Sequence, residues 1–349
     1  MTHFYIVKIL FLTTTSFIFA MACTPIMTHF LYKYKMGKQI RGDGSTPIFT
    51  KLHAHKAGTP TMGGILIWMT VLIFSLFFFY IVKILPFDIL EKLNFLSRKE
   101  TLLPLGALVA SALVGLLDDY LDVRRLGYKK RGIKFSNKLL IYIGIALVGA
   151  WWFYFKLDWD IIRIPLIGSF EVGMWYILFF IFVVVGTAFS VNQTDGLDGL
   201  AGGTLLIAFS SYGVIAFATG RYDLASFCGV IVGALLAFLW FNINPARFIM
   251  GDTGSISMGV TLALMALYTH TPFILPFLGF VFVLEAVSTI LQIGSKKFRN
   301  GKKVFRSAPI HHHFEALGWP EPKIVMRAWV ISGIFAGIGL IIFVLDKSL

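Results

Sequence analysis

Charge is what this sequence has least of. Only 14% of its 349 residues are Asp, Glu, Lys or Arg, against roughly 25% in a soluble chain. With 57% hydrophobic residues and a mean hydropathy of +0.79, a water-soluble fold is excluded and an integral membrane protein is expected. Cysteine is nearly absent: Cys23 and Cys228 both lie inside apolar runs, which leaves no disulfide framework and no thiolate metal site. The period-2 alternation of a membrane barrel is missing. So are low-complexity tracts, internal repeats and any stretch that reads as a soluble domain.

What is there is a series of apolar runs of the roughly 20 residues that a spanning helix needs. Ten spans are expected, at 4–31, 61–82, 101–121, 138–156, 175–191, 199–219, 224–241, 254–270, 272–292 and 326–345. The eighth and ninth are separated only by Thr271-Pro272, a short helical hairpin. Ala20-Met-Ala-Cys23 resembles a lipoprotein cleavage site, but the apolar run continues to Tyr32 and ends at Lys33, Lys35 and Lys38. An uncleaved first span is therefore expected. The fold class is an all-α membrane protein, one polytopic domain over 1–349.

The net charge of +13 could point to nucleic acid, yet 22 of the 31 Lys and Arg fall on the odd-numbered loops and their flanking helix ends. By the positive-inside rule those loops face the cytoplasm, and ten spans then put both termini in the periplasm. The main cytoplasmic loops are 33–60, 122–137, 192–198, 242–253 and 293–325. A lipid bilayer, not nucleic acid, is the expected partner.

Every polar motif falls on that side. Asn192-Gln-Thr-Asp195-Gly-Leu-Asp198-Gly-Leu-Ala-Gly-Gly203 holds two carboxylates, an Asn and four Gly, and no base. Asn192, Asp195 and Asp198 would line one face of a helical turn. Acids at a bilayer edge without basic partners mark a functional site that awaits a cation or polar ligand. Lys56-Ala-Gly-Thr-Pro-Thr61-Met-Gly-Gly64 opens the second span, where backbone N–H groups and a nearby Lys suit a phosphate. Helix capping and a positive-inside lysine would explain it equally. Asp118, Asp119 and Asp122 close the third span, at a helix end that disfavours negative charge. Either the basic run Arg124 to Lys138 or a metal must offset them. Their roles would be general base or Mg²⁺ environment, the alternative being a charged loop start solvated with Arg124 and Arg125.

Asp252, between glycines just before the eighth span, suits a Mg²⁺ ligand held on a tight turn, or a helix N-cap. The triplet His311-His312-His313 lacks both i, i+4 spacing and accompanying Cys, so it reads as phosphate-binding or acid-orienting imidazoles, not zinc ligands. Together these motifs describe phosphoryl transfer at a membrane surface.

In these motifs, with Ala308-Pro-Ile-His-His-His-Phe-Glu315 and Gly-Trp-Pro-Glu-Pro-Lys323, the chain resembles the bacterial phospho-N-acetylmuramoyl-pentapeptide transferases. These belong to the polyprenyl-phosphate N-acetylhexosamine-1-phosphate transferases. The likeness runs from about Lys56 to Trp329, and the His-containing stretch is specific to the muramoyl-pentapeptide branch. It implies transfer of phospho-MurNAc-pentapeptide from UDP-MurNAc-pentapeptide to undecaprenyl phosphate with Mg²⁺, giving lipid I and UMP.

By position, the resemblance makes Asp252 the metal ligand and Asp118 the group that deprotonates or orients the lipid phosphate, with Asp119 beside it. Lys56, Thr61, Asn192, Asp195, Gly196, Asp198 and Asn242 would contact the nucleotide-sugar. His311 and His312 would reach the same pocket, as would Ser255 and Gln292. Ile249, next to Phe248, stands where relatives can place the Phe that stacks on uridine. The rival readings are a GlcNAc-1-phosphate transferase and, in a different class, a cation-coupled transporter. The oligomeric state, a homodimer included, is left open.

Overall fold

The structure is a computed structural model and describes residues 2–37, 53, 56, 58–85, 87–98, 100–128 and 132–348. Most of the 33–60 loop, residues 129–131 of the 122–137 loop, and residue 349 lie outside the described residues.

In chain order the elements are α1 (Thr2–Lys33), α2 (Ile65–Ile84), α3 (Asp88–Leu93), α4 (Leu102–Val123), α5 (Phe135–Lys156), β1 (Ile161–Ile164) and β2 (Gly168–Glu171). There follow α6 (Trp175–Thr194), α7 (Leu200–Ala218), α8 (Tyr222–Asn242), α9 (Gly251–Tyr268), α10 (Leu275–Leu278), α11 (Phe280–Phe298), α12 (Ile310–Ala316) and α13 (Glu321–Ser348). Among the described residues, eight helices are long and apolar enough to cross a membrane: α1, α2, α4 to α8, and α13. The chain is an integral, multi-pass membrane protein.

The two other expected spans form helices with a different character. α9 is the centre of the bundle, and among its residues only Asp252 is not buried. Because protein surrounds it, α9 carries Thr253, Ser255, Ser257 and Thr261 inside, and its composition is less apolar than a lipid-facing helix requires. The ninth expected span, 272–292, is broken at Gly279 into one-turn α10 and longer α11, which runs past Gln292 to Phe298. α11 is two-sided: Glu285, Ser288 and Gln292 are buried along one face, while Val287, Ile290 and Leu291 are exposed.

The all-α expectation also needs one correction. β1 and β2 pair antiparallel, from Ile161 opposite Glu171 to Ile164 opposite Gly168. They form a small hairpin outside the bundle, where alternating exposure rather than a spanning run shapes the chain.

Lipid tails give little hydrophobic drive for helices to associate, so close packing of small residues does that work. A Cβ on Gly115 of α4 would lie 2.5 Å from the carbonyl oxygen of Asp252. One on Gly64 would lie 2.2 Å from the Cα of Gly254. These crossings bring the ends of α2 and α4 onto the start of α9. A polar seam joins them, as Trp68 donates to Thr253 (3.2 Å) and the Thr253 hydroxyl donates to the Ala112 carbonyl (2.8 Å).

The two ends of the bundle differ. One is fastened by ion pairs, Lys8 with Asp223, Arg221 with Glu100 and Arg163 with Asp346, which bring the first turns of α1 and the last turn of α13 there. The other gathers the motif residues.

Candidate active site at the start of helix α9

The first turn of any helix leaves N–H groups without partners, and its partial positive charge attracts anions. Here two carboxylates from other helices meet that need. Gly251, at φ 74°, turns the chain into α9 and donates to Asp195 at the end of α6 (2.9 Å). The N–H groups of Asp252 and Thr253 each donate to one oxygen of Asp119 (3.1 Å both). Asp119 and Asp195 therefore fix where α9 begins. Asp252, one residue into the helix, is relieved of capping and its side chain turns outward.

Asp252 meets Asp118 through Lys138. The Lys138 ammonium donates to Asp118 and, at 2.6 Å, to Asp252. The other Asp118 oxygen accepts from the Ile133 N–H (2.6 Å). Asn192 donates to Asp252 (2.9 Å) and to Ser255 (3.0 Å), and Ser255 donates to the Gly251 carbonyl (2.9 Å). The expectation of acids without bases in the 192–203 stretch is overturned at Asp198, which pairs with Lys56. Lys138, from the basic run, offsets Asp118, one of the two ways expected. One turn on, the buried Tyr142 hydroxyl has no hydrogen-bond partner among the described residues.

A second lysine also bridges two carboxylates. Lys56 donates to Asp198 (2.7 Å) and to Glu321 at the start of α13 (2.5 Å). Asp198 also accepts from Asn244 and from the Ala246 N–H (3.1 Å each), and its own N–H donates to Glu321 (2.6 Å). Thr61 is buried, with its hydroxyl so near Gly251 that a Cβ there would lie 2.7 Å away.

Two residues expected to contact substrate also brace the site. Asn242 accepts from the Gly199 N–H (3.0 Å) and donates to the Phe248 carbonyl (2.8 Å), which uses both ends of its amide. Gln292 donates to the Phe305 carbonyl (2.9 Å) and accepts from the N–H groups of Val304 and Phe305, folding the 293–325 loop back on α11. Ile249 is half-buried, and Phe248 is wholly buried against Phe238 and Phe241, so neither is a free aromatic face.

The three His have three environments. His311 pairs through Nδ1 with Glu285 of α11 (2.8 Å). His312 pairs through Nδ1 with Glu315 (2.6 Å), which also meets Nε2 of His53 (3.1 Å). His313 accepts from the Arg306 N–H (3.1 Å). Burial, and next the neighbouring His311, push His312 down to about 3. Burial works to raise Glu315, but hydrogen bonds from His312 and His53 outweigh it and hold the carboxyl at about 2. His53, His312 and Glu315 offer three donors within 4.8 Å of one another, the one such group among the described residues. Their mutual hydrogen bonds make them a clasp between the first and last of the motif loops.

A small divalent cation fits at Asp118 and Asp252. Their oxygens already converge on a single ammonium nitrogen, and the neighbouring groups are oxygen and amide donors. Mg²⁺ is commonly held by one or two carboxylates, the remaining positions going to phosphate and water.

Glu285 and Glu321 join the candidate site without being singled out by the motif reading, and Lys138 enters that reading only as the end of the basic run. Glu285 carried a signal, a lone acid in the apolar run Phe280-Val-Phe-Val-Leu-Glu285. Lys138 and Glu321 stand at helix starts and look like ordinary flanking charges.

Comparison with known proteins decides the family. Residues 101–270 match the model of glycosyl transferase family 4, and residues 56–67 match phospho-N-acetylmuramoyl-pentapeptide-transferase signature 1. The phospho-N-acetylmuramoyl-pentapeptide-transferase of Chloroflexus aggregans is 37% identical over 95% of this chain and 89% of its own. That of Geobacillus sp. (strain WCH70) is 39% identical over 94% and 95%. The chain belongs to the phospho-N-acetylmuramoyl-pentapeptide-transferase family. As the motifs implied, it is a transferase. The family signature begins at Lys56 and includes Thr61, and the family 4 match spans every residue from Asp118 to Asp252 discussed above.

Proposed function

We propose that this transferase moves phospho-MurNAc-pentapeptide from UDP-MurNAc-pentapeptide to undecaprenyl phosphate, forming lipid I and UMP, with Mg²⁺ as cofactor. This is the first membrane step of peptidoglycan synthesis. The observation that carries the reading is the meeting of Asp118 and Asp252, from two different helices, at one cation beside a capped helix start. The basic odd-numbered loops support a cytoplasmic site in the inner membrane, with both termini periplasmic.

An oxygen of the lipid phosphate attacks the β-phosphorus of the donor. The bond from that phosphorus to the bridging oxygen breaks, and its electron pair leaves with UMP. A lipid phosphate that arrives protonated gives its proton to Asp118. Asp252, with Asp118 at its side, would hold Mg²⁺, which when bound neutralises charge on the diphosphate. Lys138 keeps the two carboxylates together and adds positive charge at the same point. Lys56, Thr61, Asn192, Asp195, Gly196 and Asp198 form the donor side, Ser255 seats Asn192, and Asn242 and Gln292 hold the loops behind it. His311 and His312 close the pocket from the 293–325 loop.

The test is UMP release by purified protein given undecaprenyl phosphate with either UDP-MurNAc-pentapeptide or UDP-GlcNAc. Turnover of the first alone is expected. Turnover of the second alone would make the protein a GlcNAc-1-phosphate transferase, and no release from either would return the cation-coupled transporter. Direct attack also requires that delipidated enzyme not exchange labelled UMP into the donor. Sustained exchange would instead favour an aspartyl-phosphate intermediate.

A further inference from the structure

His311 is 1% exposed, and its two ring nitrogens have opposite fortunes. Nδ1 lies 2.8 Å from Glu285, and the His311 backbone N–H approaches the same carboxylate oxygen at 3.4 Å. Nε2 is buried and has no hydrogen-bond partner among the described residues. It faces Gly196, where a Cβ would stand 2.2 Å away, so any larger residue would push the ring aside.

A carboxylate can only accept, so Nδ1 carries a proton, and the tautomer of a neutral ring that meets this need is Nδ1–H. Nε2 is then left with its lone pair, aimed at the segment that carries Asn192, Asp195 and Asp198. A buried acceptor left unmade is costly, and such an atom in a site points to a ligand. A partner carboxylate that fixes the tautomer and aim of a working imidazole is a recurrent arrangement in enzymes.

We propose that Glu285 is a positioning residue for the transfer reaction. It holds His311 as the neutral Nδ1–H tautomer and sets Nε2 against Gly196, where a Cβ has no room, to accept from a hydroxyl or amide N–H on the sugar-peptide part of the donor. The inference rests on the transfer reading above. The group met by Nε2 is a hydrogen-bond donor, which assigns it to the hexosamine or its peptide and not to a bare phosphate oxygen.

The test is steady-state kinetics with both substrates on purified Glu285→Gln, Glu285→Leu, His311→Ala and the Leu/Ala double variant, alongside their melting temperatures. Glu285→Leu and His311→Ala are each expected to lower kcat/KM for the UDP-linked donor by about 10- to 100-fold, leaving KM for undecaprenyl phosphate within about twofold. The double variant is expected to match His311→Ala alone, because Glu285 acts only through that ring. Glu285→Gln keeps the shape and an acceptor oxygen. It is expected to melt within a few degrees of the parent and to lose about tenfold, and it decides the matter should the Leu variant not fold. Parental kinetics in Glu285→Gln, an equal rise in KM for both substrates, or multiplied losses in the double variant would each overturn the proposal. Inactivity of the parent protein would instead count against the transfer reading itself.

Discussion

Two lysines in this protein each bridge two carboxylates, and they do different work. Around Lys56, Asp198 and Glu321 both accept from Asn244, Asp198 accepts from the Ala246 N–H, the Asp198 N–H donates to Glu321, and the Asp198 side chain is 7% exposed. Every carboxylate oxygen has a partner from the protein, as around Lys138, and the cluster ties four chain segments together. Around Lys138, Asp252 takes its other hydrogen bond from Asn192 and its side chain is 23% exposed. The first cluster braces the proposed donor side, with two backbone N–H groups bonded to its carboxylates. The second has one, from Ile133, and leaves Asp252 more open to ligand.

The sharpest way to break this contrast is to delete one acid from each cluster. Asp252→Ala is expected to lower kcat by about 10³-fold, since it removes charge stabilisation at the reacting phosphate, while the melting temperature shifts little. Asp198→Ala strands Lys56 with half its partners and should destabilise the protein by about 3 kcal/mol, read as a fall in melting temperature. Equal melting losses from both substitutions would erase the distinction.

Next in size, Lys138→Met leaves Asp118 and Asp252 facing each other without their ammonium. Activity should fall about tenfold at low Mg²⁺ and recover in part as Mg²⁺ rises, because the added cation relieves the repulsion. A Mg²⁺ dependence identical to that of the parent would count against a shared cation position.

The clasp of His53, His312 and Glu315 gives a pH prediction. Folded His312 titrates at about 3 against an ordinary value of 6.5, and Glu315 at about 2 against 4.5. Between each pair of values the unfolded chain binds more protons, so stability rises with pH. Melting temperature should therefore fall as pH drops below about 6.5, and fall further below about 4.5. His312→Gln should flatten the first part of the decline. The smallest effect is expected for Ser255→Ala, which loses two hydrogen bonds behind Asn192 at about 1 kcal/mol each, measurable by melting and by a modest drop in kcat.

Much of this was legible in the sequence because membranes impose strict rules. Apolar runs placed the helices to within a few residues, and loop charge grouped the motifs at one end. Asp118 and Asp252, some 130 positions apart in sequence, meet as the motif reading required. What stayed hidden depends on pairing across the chain. Asp119 and Asp195, candidate ligand groups, also cap α9, which no local pattern announces. The bracing bonds of the Asn242 and Gln292 amides depend on backbone partners that loops fold back. Lys138 stands in the sequence as one of a basic run, and only the packing of α5 against α4 singles it out. The hairpin of β1 and β2 escaped because four-residue strands carry too little pattern to read between two spans.

The most direct check on the cation position is electron paramagnetic resonance of Mn²⁺, substituted for Mg²⁺, on the purified protein with UDP-MurNAc-pentapeptide. Stoichiometric bound Mn²⁺ is expected in the parent and in His312→Gln, and its loss in Asp252→Ala. Retention of the bound signal in Asp252→Ala, with loss in His312→Gln, would place the metal at the histidine clasp and contradict the assignment to Asp118 and Asp252.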